Sequence, residues 1–147
     1  DFLLLDMPPG TGDIAISVGQ LLPHAEIVVV TTPQKSAADV AWRSGDVARQ
    51  TGQKVVGVIE NMAKTTLPDG SVLDVFGSGG GEETARRLGV PLLGSVPLST
   101  ELRIAGDVSV PLVMSTPDGA VSQEISRIAL GIIQGGEALA GKKLPLA

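Results

Sequence analysis

The chain has 147 residues, 43% apolar and 18% charged, and its 16 acidic residues outnumber 11 basic ones, giving a formal net charge of −5. This length suffices for one domain with a buried core, and an acidic chain with no basic run gives no electrostatic footprint for nucleic acid. Cysteine is absent and histidine occurs once, which excludes disulfides, thiol nucleophiles and cysteine-ligated metal sites made by this chain, and any site that needs two histidines.

Short apolar runs that alternate with helical patterns organise the chain. Such runs are typical of strands in a parallel sheet covered by helices, and they occur at Phe2–Leu5, Ile27–Val30, Val55–Ile59 and Leu92–Val96. Helical patterns cover residues 13–22, 36–51 and 82–88, with Ser36 and Gly89 as predicted caps, and a last helix is predicted to begin near Thr116-Pro117. This alternation predicts an α/β fold with a mainly parallel sheet flanked by helices.

The string Asp6-Met7-Pro8-Pro9-Gly10-Thr11-Gly12-Asp13 directly follows the first predicted strand. Ligands of open α/β sheets bind beyond the carboxyl ends of the strands, and an aspartate there has the Walker B arrangement that holds Mg²⁺ directly or through water. Gly10 lets a backbone N–H approach a γ-phosphate, and Asp13 suits a helix N-terminus. Either aspartate alone could be a turn or cap residue, so the prediction depends on the whole string.

Five strings in order resemble the Mrp/ApbC family of iron–sulfur cluster carrier ATPases, within the wider MinD/ParA group of P-loop ATPases. They are Asp6–Asp13, Val30–Gln34, Gly57–Met62, Phe76–Gly81 and Leu93–Leu98. The resemblance implies a P-loop NTPase fold, ATP and Mg²⁺ as ligands, ATP hydrolysis, a homodimer, and iron–sulfur apoproteins as partners.

The resemblance also implies roles for individual residues. Asp6 matches the Walker B aspartate and Gly10 the switch glycine, while Asp13 takes a supporting role near the attacking water. Asn61 matches the asparagine that recognises the nucleotide base, and a side-chain amide offers adenine both a donor and an acceptor. Pro97 and Leu98 match the loop beside the base. The alternatives are a turn-forming asparagine at 61 and an ordinary strand exit at 97–98.

Two departures from the family pattern concern the phosphates and the cluster. No G-x-x-x-x-G-K-[ST] element, which would cradle phosphates, occurs in the chain. Together with the start at Asp1, this predicts that residues 1–147 are the C-terminal part of a single P-loop ATPase domain, and that the isolated chain hydrolyses ATP negligibly. Many family members carry C-x-x-C where this chain has Ala63–Ser71, without cysteine. Either this branch carries a bridging iron–sulfur cluster differently, or it carries none.

The glycine cluster Gly77–Gly81 invites comparison with a phosphate-binding loop. A G-x-G-x-x-G register fails because Glu82 holds the last position, and Glu82 and Glu83 would repel phosphate. The cluster is therefore predicted to be a strand-to-helix connection whose glutamates favour the helix N-terminus. Trp42 is predicted to be a partly buried packing residue.

Two other functions compete with the cluster carrier. A MinD/ParA-type positioning or scaffold ATPase that binds membranes should end in a basic amphipathic helix, whereas Arg127 here has Glu124 and Glu137 alongside. A flavodoxin-like binding module would lack a phosphate loop upstream of Asp1 in its coding sequence. No apolar run approaches the roughly 18 residues of a membrane span and no secretory signal is visible, so the sequence predicts a cytoplasmic protein without a membrane partner.

Overall fold

The computed structural model of the chain describes residues 2–8 and 12–135. The helices of this part are α1 (Asp13–Leu21), α2 (Lys35–Gln50), α3 (Gly80–Leu88), α4 (Thr100–Asp107), α5 (Leu112–Ser115) and α6 (Ala120–Gly135). The strands are β1 (Glu26–Thr31), β2 (Lys54–Ala63), β3 (Thr65–Thr66), β4 (Val72–Leu73) and β5 (Leu92–Pro97). Within these residues no helix is both long enough and apolar enough to cross a membrane.

A parallel sheet of order β1-β2-β5 forms the centre of the fold. Parallel neighbours need crossover connections, which α2 supplies between β1 and β2 and α3 supplies between β2 and β5. Helices α2 and α3 pack against each other and against the sheet, while α6 packs on β5. The predicted α/β fold with a parallel sheet flanked by helices is confirmed.

The main core lies between the sheet and the pair α2–α3. It consists of small and branched side chains, Val29, Ala41, Ala48, Val55, Val58, Ala85 and Leu88. Trp42 packs half-buried against this core, as predicted, and the Arg87 guanidinium lies 4.1 Å from the centre of its ring. The same guanidinium donates to Asp39 Oδ1 over 2.6 Å, so a cation–π contact and an ion pair join α3 to α2.

The predicted first strand is wrong. Residues 2–8 form no helix or strand, and Leu4 is 90% exposed. A strand exists through the hydrogen bonds of a neighbouring strand, and among the described residues β1 pairs only with β2. Val30, which follows the core residue Val29 on β1, is 58% exposed. The apolar run at Phe2–Leu5 thus has no sheet edge to join within the described part of the chain.

Two predicted helix starts are also wrong. Gln34 rather than Ser36 is the N-cap of α2, because the helix begins one residue earlier and Ala38 N donates to Gln34 O. Thr116 ends α5 instead of starting the last helix, and Gly119 N donates back to Thr116 O. Pro117 therefore lies in a turn before α6, while the predicted C-cap Gly89 does end α3 in the left-handed conformation.

Candidate functional site

The carboxyl ends of β2 and β5 bring together three of the residues predicted to contact the nucleotide. Asn61 lies opposite Val96, and Ala63 lies opposite Pro97. Leu98 N donates to Ala63 O over 2.8 Å, so the chain stays beside β2 after β5 ends. Parallel strands end at the same edge of their sheet, where ligands of open α/β folds bind. Asn61, Pro97 and Leu98 therefore lie in one patch at that edge.

Asn61 lies inside β2, at an irregularity of the strand. The β2–β5 register shifts between Asn61 and Ala63, and Met62 has a φ of 58°, a left-handed conformation rare for a residue with a long side chain. Asn61 Oδ1 accepts a hydrogen bond from Met62 N over 2.8 Å, which supports this conformation. Strand bulges redirect side chains and occur next to active sites. The irregularity directly follows Asn61, near the carboxyl end of β2.

The amide group of Asn61 fits an adenine base chemically. Its Nδ2 makes no hydrogen bond within residues 2–8 and 12–135, and its Oδ1 keeps a second lone pair beside the one that Met62 N uses. A donor and an acceptor thus remain for a ligand. The side chain is half-buried, so a base placed there would be partly shielded from water.

The residues predicted to handle Mg²⁺ and the γ-phosphate are not assembled in the described structure. Asp6 lies in an irregular segment and Asp13 begins α1, and both side chains are exposed with no hydrogen bond or ion pair in the described part. Gly10 lies outside the described residues. No group of three acidic or histidine side chains there could hold a metal ion. Mg²⁺ needs only one or two carboxylates beside water and phosphate, so Asp6 fits it in ligand type.

The glycine cluster packs the start of α3 against two strand ends. A Cβ at Gly80 would lie 2.5 Å from the carbonyl oxygens of Thr32 and Pro33, and a Cβ at Gly81 would lie 2.6 Å from Glu60 Cβ. Gly80 therefore excludes a side chain, because its nearest neighbours are backbone atoms, whereas a methyl group at Gly81 would require Glu60 to shift. The prediction that this cluster is a strand-to-helix connection is confirmed.

Glu60 is a functional candidate that the sequence interpretation missed. It is only 8% exposed on the central strand, and Gly81 N donates to its Oε2 over 2.7 Å. The Glu60 carboxylate thus lies at the N-terminus of α3, where the helix dipole favours negative charge. The available signal was a glutamate inside the apolar string Gly57–Met62.

Side chains of α6 bind the outer edge of β5, beside the patch. Ser95 N donates to Glu124 Oε1 over 3.2 Å, and Arg127 Nη2 donates to Leu93 O over 3.0 Å. Glu124 and Arg127 also form an ion pair with an N–O distance of 2.7 Å. The hydrogen bond from Arg127 lowers the pKa of Glu124, so the carboxylate stays ionised at neutral pH. These contacts hold the strand that leads to Pro97.

A small hairpin forms in the segment where the family resemblance implies a C-x-x-C motif. Strands β3 and β4 pair antiparallel, and Leu67 N donates to Ser71 O across the turn. Asp69 Oδ1 accepts from both the N–H and the hydroxyl of Ser71, which lowers the pKa of Asp69. The chain has no cysteine, so its residues do not fit a thiolate-bound iron–sulfur cluster.

Comparison with known proteins places these features in a family. A model of the NUBPL iron-transfer P-loop NTPases matches residues 1–133. The chain is 55% identical to an iron-sulfur cluster carrier protein of Mycobacterium bovis, over 99% of this chain and 40% of that protein. A protein of the same name from Synechocystis sp. is 45% identical, over 88% of this chain and 37% of that protein. The chain thus spans about 40% of the length of these relatives.

Solved structures share the fold. The septum site-determining protein MinD of Pyrococcus horikoshii, complexed with Mg-ADP, has a TM-score of 0.60 at 22% identity, over 82% of this chain and 44% of that chain. A nucleotide-binding protein of Archaeoglobus fulgidus in complex with ADP has a TM-score of 0.50 at 27% identity, over 96% of this chain and 49% of that chain. The MinD likeness shows the fold alone.

Proposed function

Because this chain belongs to the NUBPL iron-transfer P-loop NTPase family, we propose that it is part of an ATP-binding and ATP-hydrolysing iron–sulfur cluster carrier. It contributes the residues that recognise the base and the Walker B and switch segment. The observation that carries the proposal is the juxtaposition of Asn61, Pro97 and Leu98 at the carboxyl ends of β2 and β5. The ADP complex of the Archaeoglobus fulgidus protein supports an adenine nucleotide as the ligand.

The proposed mechanism divides the work between binding the base and handling the γ-phosphate. The Asn61 amide donates to and accepts from the adenine edge, while Pro97 and Leu98 provide apolar surface beside the base. Asp6 would hold Mg²⁺ through its carboxylate or a water, the Gly10 N–H would bind the γ-phosphate, and Asp13 would have a supporting role near the attacking water. When bound, Mg²⁺ neutralises charge that develops on the phosphate oxygens. Catalysis of this type is mostly positioning and charge stabilisation.

The same proposal treats residues 1–147 as the C-terminal part of a single P-loop ATPase domain. The relatives are about two and a half times as long, since the chain covers 40% of the first of them. Phe2–Leu5 and Val30 are exposed apolar residues, and β1 has an edge that pairs with no strand among the described residues. A further strand from the rest of the protein would pair with this edge and cover apolar surface. On this proposal the phosphate loop lies outside the chain, and the isolated chain is inactive.

The cluster is the cargo in this proposal, and its ligands are not in the chain. Since the chain has no cysteine, thiolate ligands come from the rest of the protein, from a partner subunit or from the receiving apoprotein. We propose that the protein is a cytoplasmic homodimer that serves iron–sulfur apoproteins; the name of its relatives, iron-sulfur cluster carrier protein, supports the cluster as the cargo. Iron and sulfide analysis after anaerobic reconstitution of the full-length protein tests whether a cluster is carried.

Hydrolysis by the full-length protein tests the ATPase part. Wild type should release phosphate from ATP only when Mg²⁺ is present, and Asp6→Asn should reduce this rate by at least about 100-fold, because the variant loses the carboxylate charge and keeps its shape. Asp6 is exposed and makes no hydrogen bond or ion pair in the described structure, so the melting temperature should stay close to wild type. Equal hydrolysis by the two proteins would contradict the role of Asp6.

A further inference from the structure

Glu60 is a buried carboxylate with a backbone partner and no cation beside it in the described part of the chain. Its one hydrogen bond there comes from Gly81 N, and its negative charge lies at the N-terminus of the nine-residue helix α3. An ionised group is costly to bury unless it is hydrogen-bonded or compensated. The Gly81 amide and the helix dipole provide that compensation. The contact therefore joins the central strand firmly to the start of α3.

The strand position of Glu60 connects this contact to the candidate base site. Glu60 directly precedes Asn61, and it lies opposite Thr31 on β1 and Ser95 on β5. The register shift and the left-handed Met62 follow immediately. Such a conformation costs about 1–3 kcal/mol and persists only where its surroundings fix it. Glu60 is therefore the last residue of β2 that the contact with α3 holds in place before the strand becomes irregular.

We propose that Glu60 is a positioning residue for base recognition, acting through its contact with Gly81 to fix the direction in which Asn61 leaves β2. This inference rests on the proposed function, because it assumes that Asn61 reads the base. Glu60 touches no nucleotide in this account. Its effect reaches the ligand only through the backbone of Asn61 and Met62.

The geometry predicts that the contact can be broken from either side. Glu60→Ala removes the acceptor, and Gly81→Ala places a methyl group 2.6 Å from Glu60 Cβ and 3.0 Å from Glu60 Oε2, which forces Glu60 away. Glu60→Gln keeps an oxygen that can accept from Gly81 N. Gly106→Ala is the matched control for a glycine change in a helix, because a Cβ at Gly106 has nothing within 4 Å.

The experiment measures dissociation constants of fluorescent ATP and GTP analogues, with Mg²⁺, on the full-length protein and its variants. The readout is the ratio of GTP to ATP dissociation constants. Both nucleotides carry the same triphosphate, so partial unfolding or a weakened phosphate site weakens both and leaves the ratio unchanged. Glu60→Ala and Gly81→Ala should each lower the ratio at least about fivefold, which corresponds to about 1 kcal/mol. Glu60→Gln and Gly106→Ala should keep it within about twofold of wild type.

Asn61→Ala separates the failure of this inference from the failure of the function on which it rests. If Asn61→Ala lowers the ratio while Glu60→Ala or Gly81→Ala keeps the wild-type value, Glu60 has no positioning role. If Asn61→Ala itself leaves the ratio unchanged, base recognition by Asn61 is wrong and the inference falls with it. Should either Glu60→Ala or Gly81→Ala fail to fold, the other variant decides the question: a lowered ratio supports the role of Glu60 and a wild-type ratio overturns it.

Discussion

Substitutions of Asn61 test base recognition most directly, because the two ends of its amide have different tasks in the structure. Oδ1 accepts from Met62 N and supports the backbone, whereas Nδ2 has no partner among the described residues. Asn61→Asp keeps an oxygen for Met62 N and removes the donor. Asn61→Ala removes both. The pair therefore separates a loss of base binding from a loss of local structure.

The magnitude follows from the hydrogen bonds that each variant loses. A buried polar group left without its partner costs about 1–3 kcal/mol, which is about 5-fold to 150-fold in a dissociation constant. We expect Asn61→Asp to weaken ATP binding within this range and to leave the melting temperature of the apoprotein close to wild type. Asn61→Ala should weaken ATP binding similarly and also lower the melting temperature, because Met62 loses the bond that supports its left-handed conformation.

The assay is equilibrium binding of ATP with Mg²⁺ to the full-length protein, by calorimetry, together with thermal unfolding of the nucleotide-free protein. Asn61→Asp with wild-type affinity for ATP would refute base recognition through the Nδ2 donor. Asn61→Ala with lower stability but wild-type affinity would show that Asn61 only supports the strand exit.

Two further predictions concern the fold around the site. In hydrogen exchange of the full-length protein, the β1 amides that face away from β2 should exchange slowly, because the proposed additional strand would pair with this edge; rapid exchange would contradict the assignment of residues 1–147 to one P-loop domain. Arg127 lowers the pKa of Glu124 below its unfolded value, so this pair should stabilise the protein above about pH 4.3 and lose its effect as pH falls through the lower folded pKa. The difference in unfolding free energy between wild type and Glu124→Gln should be no more than about 1 kcal/mol at pH 7, since Arg127 is exposed and Glu124 is partly exposed. This difference should vanish at pH 2, and an unchanged difference at pH 2 would exclude the ion pair as its cause.

The sequence correctly predicted the strands whose neighbouring strands and covering helices lie within the described chain. The runs at Ile27–Val30, Val55–Ile59 and Leu92–Val96 each lie in a strand of the sheet, because apolar side chains there are buried against helices that follow in the same chain. The equally apolar run at Phe2–Leu5 forms no strand. Periodicity and composition show which side chains of a segment can be buried. A strand also needs a neighbouring strand to bond with, and the sequence of the segment itself does not show whether that neighbour is present.

The residues of the candidate site were also predictable from the sequence only in part. The family resemblance pointed to Asn61, Pro97 and Leu98, and the parallel register of β2 and β5 brings them to one edge. Glu60 was missed because its meaning depends on Gly81, a residue 21 positions later, and on a contact between a strand and a helix start. Local pattern cannot show that a glutamate within an apolar string is compensated by a distant amide.

The contacts between α6 and β5 determine which edge of the sheet can accept further strands. Glu124 and Arg127 occupy a backbone amide and a carbonyl on the outer edge of β5, so a strand from another molecule would have to displace an ion pair to add there. At the other side of the sheet, β1 has no such cover among the described residues. Side chains that occupy edge groups are a means by which proteins avoid unwanted strand addition. Further strands can therefore extend this sheet from the β1 side, whereas the β5 side is already terminated by the chain's own last described helix.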